Sequence, residues 1–295
     1  MQRKGSTLLG AITITLMALN VIAWSLPLLT AATAKLIVPH HGWRRSMSRV
    51  LTLLAEGWIG TNNAIFRLTG AMQIDGRGVD RLGPEAWYLV VSNHRSWVDI
   101  LVLQSMFNRR IPFLKFFLKK QLIWVPLLGL AWWALDMPFM RRYSAQLLAR
   151  YPELRGKDLE ATRVACERFR RIPTSIMNFV EGTRYSDEKR VALASPYAHL
   201  LPPRAGGIAY VLSAMGGMLN SLLDVTIAYR DRNPSLWDLC CGRLGRVIVD
   251  VRERAIEDWM SAGDYLADAA YRQRFQAWIM AIWREKDGLL ARLAA

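Results

Sequence analysis

The chain is poor in cysteine and histidine, and both shortages narrow what it can be. Its three cysteines, Cys166 and the adjacent Cys240 and Cys241, make no disulfide framework, because neighbouring cysteines rarely bridge each other. They read as small apolar packing residues in a chain kept in a reducing cytoplasm. Only four histidines are present, His40, His41, His94 and His199, so few side chains can take up a proton near neutral pH. Negative charge is scarce as well. Against 39 Lys and Arg stand 24 Asp and Glu, a formal net charge of +15 that implies an anionic partner. No zinc, RNA-recognition or helix-turn-helix signature accompanies that charge, and nucleic acid is set aside as the partner. Internal repeats and low-complexity tracts are missing. No serine or cysteine stands in a recognisable nucleophile elbow, so the sequence carries no signal for a covalent intermediate.

Apolar residues, by contrast, are plentiful. Hydrophobic residues make up 52% of the 295, with 12 tryptophans and a mean hydropathy of +0.11, and such a basic yet apolar chain suits an anionic membrane surface. After Arg3 and Lys4 no charge appears until Lys35, and the run from Leu8 to Leu29 is long enough to span a bilayer. A cleaved signal peptide is the rival, with Ala32-Thr33-Ala34 as a cleavage-like site, but the apolar run exceeds the roughly 7 to 15 residues of a signal core. An uncleaved anchor is the better reading. The segment from Trp43 to Leu68 differs: Met47, Val50, Leu54 and Trp58 share one helical face, and Arg44, Arg45 and Arg49 open it. That pattern fits an interfacial amphipathic helix or a soluble helix packed on the rest of the chain. Joined near Pro39 to Gly42, with Pro27 bending the first arm, the two helices form a membrane-anchoring hairpin over residues 1 to 68. Such a hairpin keeps the rest of the chain on the cytoplasmic face of the inner (plasma) membrane.

Residues 69 to 295 alternate strands with helices. Candidate strands are Ala71 to Ile74, Trp87 to Val91, Ala134 to Phe139, Ser175 to Val180, Asp224 to Tyr229 and Arg246 to Val251. Helical patterns lie near 99 to 108, 143 to 151, 157 to 171, 206 to 218 and 264 to 292. The alternation predicts one α/β domain with a single, mainly parallel sheet flanked by helices. Between Arg109 and Trp133, Lys115, Lys119 and Lys120 mix with Phe113, Phe116, Phe117 and Trp124. This stretch reads equally as an interfacial patch and as a buried helix with a basic edge.

Two short motifs carry chemistry. In NHRSWVD, residues 93 to 99, a buried strand runs into a helix beginning near Ser96, which brings His94 and Asp99 together across the turn. Removing a proton from a weakly acidic hydroxyl needs a base that titrates near neutrality, and a carboxylate on the other ring nitrogen fixes its tautomer. His94 fits the base and Asp99 its orienter. In FVEGTR, residues 179 to 184, Gly182 lets the backbone approach an anion, Thr183 offers a hydroxyl and Arg184 a planar fork that matches phosphate. Glu181 would repel a phosphate, so it is expected to pair with an arginine or bond glycerol hydroxyls.

Asn93, His94 and Asp99, then Phe179, Glu181, Gly182, Thr183 and Arg184 some 80 residues later, resemble the blocks of the 1-acylglycerol-3-phosphate (lysophospholipid) acyltransferases. LDMPFMRR matches a further block, with Phe139 and Arg142 in place, and LPPRAGG at 201 to 207 another, which contributes Arg204. The run DVTIAYRDRNPSL, 224 to 236, is similar to the lysocardiolipin-acyltransferase-like branch. Where many members have proline before the glutamate this chain has Val180, and a less rigid loop is expected. The resemblance implies acyl transfer from acyl-CoA or acyl carrier protein to a lysophospholipid, with no cofactor or metal. It makes 1-acylglycerol-3-phosphate the first acceptor to consider and lysophosphatidylglycerol or lysocardiolipin the second, with Arg142, Arg184 and Arg204 on the phosphate. A basic membrane-binding scaffold without catalysis stays open as the alternative, and it gives His94 no special role.

Overall fold

The computed structural model describes residues 5–140, 150–151, 157–230 and 233–294. Two helices open the chain, α1 over Thr7–Ile37 and α2 over His41–Thr69. They pack antiparallel through polar clasps in an otherwise apolar seam: Asn20 Nδ2 donates to Asn62 Oδ1 at 2.9 Å, Trp24 Nε1 to Thr61 Oγ1 at 3.1 Å, and Trp43 Nε1 to the Ala34 carbonyl at 2.8 Å. α1 runs through Pro27 without ending. Among the described residues it is the one helix long and apolar enough to cross a membrane. The expected face of α2 is rotated: Leu51, Ala55, Ile59 and Phe66 are its buried stripe, while Met47, Val50, Leu54 and Trp58 are half-buried. α2 is wedged between α1 and the helix that follows β2 (α3, below), so its deepest line lies between the two contacts. Gly70, at φ 66°, closes α2 in the left-handed conformation and returns its N–H to the Arg67 carbonyl.

Among the described residues eight strands follow: β1 Gln73–Arg77, β2 Tyr88–Ser92, β3 Leu114–Phe116, β4 Leu118–Lys119, β5 Phe139–Met140, β6 Ser175–Phe179, β7 Ser221–Tyr229 and β8 Arg246–Arg254. Six form one sheet in the order β1-β8-β7-β2-β6-β3, parallel at every pairing except the antiparallel β7-β8. The described α-helices of the α/β part are α3 Val98–Phe107, α4 Leu128–Ala134, α5 Lys157–Phe169, α6 Asp187–Ala192, α7 Gly206–Met215, α8 Leu236–Cys240, α9 Trp259–Ala262 and α10 Ala269–Ala294. Central β2 is buried along its whole length, as a strand covered on both faces must be. Tyr88 and Val90 join a core with α1, α2 and α3, and Leu89 and Val91 join a second core with α5, α7 and α10. From α10 the buried Lys286 reaches β7, its ammonium 2.6 Å from both Asp224 and the Val225 carbonyl, and burial holds its pKa below the usual lysine range.

α1 is braced to this domain at both ends. Near its start, a Cβ on Gly10 would lie 2.6 Å from Cys241 Sγ and 3.0 Å from the Trp237 ring, while near its end Lys35 pairs with Asp136 at 2.6 Å.

Several expected elements are corrected. The strand anticipated at Ala134 to Phe139 is the end of α4 followed by two-residue β5, which pairs only with β4 in a separate ribbon. The sixth strand of the main sheet is β3 instead, hidden in the basic, aromatic stretch because it is three residues long and carries Lys115 inward. That stretch is neither a single helix nor a uniform patch: it divides into β3, β4, a 3-10 turn at Lys120–Trp124 and α4, with Pro126 between the last two. The pattern at 264 to 292 begins as a helix only at Ala269, because Asp264 turns the chain by accepting the N–H of Leu266 and Ala267. The helix anticipated near 143 to 151 falls almost wholly outside the described residues.

Candidate active site

β2 and β6 are parallel neighbours, so the segments leaving their carboxyl ends emerge side by side, where open α/β sheets bind ligands. His94 leaves β2 and Glu181 leaves β6. Asn93 fixes the first exit: fully buried, its side-chain amide donates to the Ile227 carbonyl and accepts from the Ile227 N–H, both at 2.9 Å, clamping the end of β2 to β7.

Around Asp99 the turn closes on one carboxylate. Oδ2 accepts the N–H groups of Arg95 at 2.6 Å and Ser96 at 2.9 Å and lies 2.9 Å from His94 Nδ1, while Oδ1 accepts the Tyr229 hydroxyl at 2.6 Å. Four donors surround a side chain with no solvent exposure. Such an anion is stabilised by hydrogen bonds rather than by water, and it draws the His94 proton onto Nδ1. With the proton on Nδ1, Nε2 would carry the lone pair. The imidazole stacks on Phe179 with centroids 3.9 Å apart and keeps 15% of its side-chain surface exposed. Tyr229, held by Asp99, has its pKa well above the usual phenol range through burial and the adjacent carboxylate.

Glu181 does not do what the sequence led us to expect. Its buried carboxylate meets neither an arginine nor solvent: Oε1 accepts the His94 N–H at 2.9 Å and Oε2 the Leu201 N–H at 3.0 Å. It therefore ties the histidine loop to the segment before Arg204, and burial pushes its pKa up to about 7 against the lowering effect of those two N–H groups. This carries a stability prediction. A carboxyl whose folded pKa exceeds its unfolded value near 4.5 binds its proton more tightly in the fold, so its contribution is present below the unfolded value and lost as pH rises to about 7. The loss should be on the order of 3 kcal/mol. Glu181→Gln, which never ionises, should flatten that part of the curve of melting temperature against pH. An unchanged slope between about pH 5 and pH 7.5 in the variant would show that Glu181 is not its source.

Beyond Glu181, Gly182 turns with φ 68° and gives its N–H to the Phe179 carbonyl at 2.9 Å. Its missing Cβ leaves room for the Arg204 side chain, which would be 3.0 Å away. Arg204 is led there by its own N–H, donated to the Val180 carbonyl at 2.8 Å. Val180, standing where many relatives of that pattern carry proline, uses the N–H that proline lacks to extend the ladder to the Ser92 carbonyl at 3.3 Å. The loop expected to be loose is thus tied at that point. Arg184 is exposed and lies over the Trp97 ring at 5.1 Å, and Thr183 Oγ1 accepts from Lys189 Nζ at 2.9 Å. Arg142 is outside the described residues. Among the described residues no group of three or more His, Cys, Asp or Glu is placed to hold a metal ion.

Residues 60–230, more than half of the chain, match the sequence profile of the Acyltransferase family. The chain belongs to that family. Other similarities of this acyltransferase run to the 1-acyl-sn-glycerol-3-phosphate acyltransferase delta of Macaca fascicularis, 26% identical over 255 residues, covering 82% of this chain and 60% of the relative. The gamma form of Homo sapiens is 27% identical over 252 residues, with 81% and 60% covered. The chain spans about 60% of the length of these curated relatives. The crystal structure of the 1-acyl-sn-glycerophosphate (LPA) acyltransferase, PlsC, of Thermotoga maritima superposes with a TM-score of 0.55 at 14% identity, covering 96% of each chain, and so shares the fold.

Tyr229, Lys189 and Trp97 touch the candidate site residues Asp99, Thr183 and Arg184, and sequence reading passed over them. Tyr229 lies 130 positions from Asp99, and only the β2-β7 pairing brings the two together. Lys189 had a signal, because Ser186 caps α6 by accepting its N–H and the spacing Thr183 to Lys189 lets a long side chain fold back.

Proposed function

We propose that the protein moves a fatty acyl chain from an acyl thioester, acyl-CoA or acyl carrier protein, to the free hydroxyl of a lysophospholipid, with 1-acylglycerol-3-phosphate giving phosphatidic acid as the leading acceptor. The observation that carries this reading is the His94 imidazole, one nitrogen held by a fully buried carboxylate and the other free at the mouth of the sheet. His94 Nε2 takes the hydroxyl proton as the oxygen attacks the thioester carbonyl. The tetrahedral adduct then collapses, the carbon–sulfur bond breaks, and the thiolate leaves as thiol with the proton from His94. Asp99 stabilises the imidazolium between those steps. Glu181 acts as a positioning residue, since it touches the His94 backbone rather than the reacting atoms.

The acceptor phosphate meets Arg184, Arg204 and Arg142 in this reading, with Thr183 on the loop of Arg184 and Lys189 reaching back to it from α6. Arg184→Ala should raise KM for the lysolipid roughly tenfold or more, leave KM for the acyl donor nearly unchanged, and gain little from lysine at that position. Steady-state kinetics varying each substrate separately check this, and a rise confined to the donor constant would reverse the assignment. The run from Asp224 to Leu236 favours a second acceptor, a lysophosphatidylglycerol or lysocardiolipin. Purified protein offered a panel of lysophospholipids with each acyl donor, read by product mass, ranks the acceptors and tests the activity itself. The exposed apolar face of α1 supports action at a membrane; in this reading α1 and α2 are the anchoring unit and the active site faces the cytoplasm.

A further inference from the structure

A cleft of about 740 Å³ lies away from His94. It lies where the tip of the α1/α2 hairpin meets the opposite edge of the sheet: Thr174, on its wall, precedes the first residue of β6, and Glu181 follows the last. Strand rise places the two ends roughly 20 Å apart. Four separate segments bring cations to this cleft, Lys35 from α1, Arg44 and Arg45 from α2, Lys115 from β3, and Arg168, Arg170 and Arg171 from the end of α5 and the turn before β6. The one carboxylate among its described lining residues is Asp136, already paired with Lys35 at 2.6 Å.

Such convergence works against folding, because like charges repel and the cost grows where water is excluded. Lys115 shows that cost. It is buried, its ammonium meets the Leu135 carbonyl, and desolvation brings its pKa down to about 8 despite the pull of Asp136. An anion in the cleft would relieve the repulsion. The rim identifies what kind. Leu36 and Trp133 line the opening, 55% and 45% exposed, and next to them Ile37 and Trp43 also stand bare on the hairpin tip. A cation-rich cavity with an exposed apolar lip suits a molecule that is anionic at one end and hydrocarbon at the other.

We propose that this cleft is a second, non-catalytic lipid site that takes the phosphate headgroup of an anionic phospholipid from the bilayer, with its acyl chains along Leu36, Ile37 and Trp43. The inference rests on the membrane reading of α1 but concerns a different place from the His94 site.

The test uses the full chain. Wild type is floated with phosphatidylcholine vesicles and with vesicles in which part of that lipid is replaced by phosphatidylglycerol, then taken into mild detergent, where retained lipid is identified by mass. The wild type is expected to float with both and to retain phosphatidylglycerol over phosphatidylcholine by tenfold or more. Arg170→Gln/Arg171→Gln and, from another element, Arg44→Gln/Arg45→Gln should each lose most of that preference while floating with phosphatidylcholine and keeping turnover on dispersed lysolipid. Arg77→Gln/Arg246→Gln, exposed cations at the far edge of the sheet, should retain it. Equal retention of the two lipids by wild type, or equal loss in all three double variants, overturns the site. So does displacement of phosphatidylglycerol by inorganic phosphate at the same concentration, which would make it a free-phosphate site. Loss of turnover together with retention would place the cleft in the catalytic machinery and overturn its independence. A wild type that fails to float with phosphatidylcholine defeats the membrane reading alone, and retention measured in detergent then still decides the cleft.

Discussion

Alanine at position 94 is expected to lower turnover by roughly 100-fold to 10,000-fold, the scale of losing a general base, while leaving the fold intact. What His94 contributes to the architecture is mostly backbone: its N–H goes to Glu181 and its carbonyl accepts the Tyr185 N–H at 2.7 Å, and alanine keeps both. The side chain adds a stacking contact with Phe179, a small part of the stability. No other histidine can take over. His40 is occupied in capping α2, His41 begins that helix on the cleft away from the site, and the backbone of His199 is held by Asp287 at 2.8 Å. Product formation by purified His94→Ala, beside its melting temperature, checks this. A folded variant turning over within threefold of wild type would remove His94 from the mechanism and restore the non-catalytic scaffold as an explanation of the chain.

Asp99→Asn should come next in size, a loss of roughly 100-fold or more in kcat at nearly constant donor KM. The geometry says which part of the carboxylate matters. The N–H groups of Arg95 and Ser96 both point at Oδ2, so the asparagine oxygen would be held on that side and would still receive His94 Nδ1. The tautomer then survives and the missing negative charge accounts for the loss. Tyr229→Phe removes one of four donors without removing the charge and should cost only about tenfold or less. Equal losses in the two variants would mean that the hydrogen-bond cage, not the charge, is what His94 depends on.

How much of this was legible in the chain depends on distance along it. Asn93, His94 and Asp99 lie within seven residues, so a turn was enough to predict their meeting, and the buried run of β2 made its strand readable. Glu181 was recognisable as important and misjudged in role, because its partners are backbone N–H groups, which every residue but proline carries and no side-chain pattern marks. The main sheet showed the same limit. β3 is three residues long with a buried lysine, too short and too polar for periodicity to find, whereas nine-residue β7 and β8 announced themselves. The basic cleft was invisible for the same reason: its arginines and lysines come from four places and look, in sequence, like ordinary solvated charge.

The double brace on α1 decides how the molecule can sit in a bilayer. With 31 residues the helix is about 46 Å long, against a hydrocarbon core of about 30 Å. A globular body fastened to it at Gly10 and again at Lys35 would have to be dragged through the lipid if the helix stood upright. On the membrane reading proposed above, the helix would instead recline, its bare side with Leu8, Ile12, Leu19, Ile22 and Leu26 sunk in a single leaflet while the domain rides above. Substrate would then be drawn from that one leaflet and product returned to it, and filling the opposite leaflet would be left to some other flipping process.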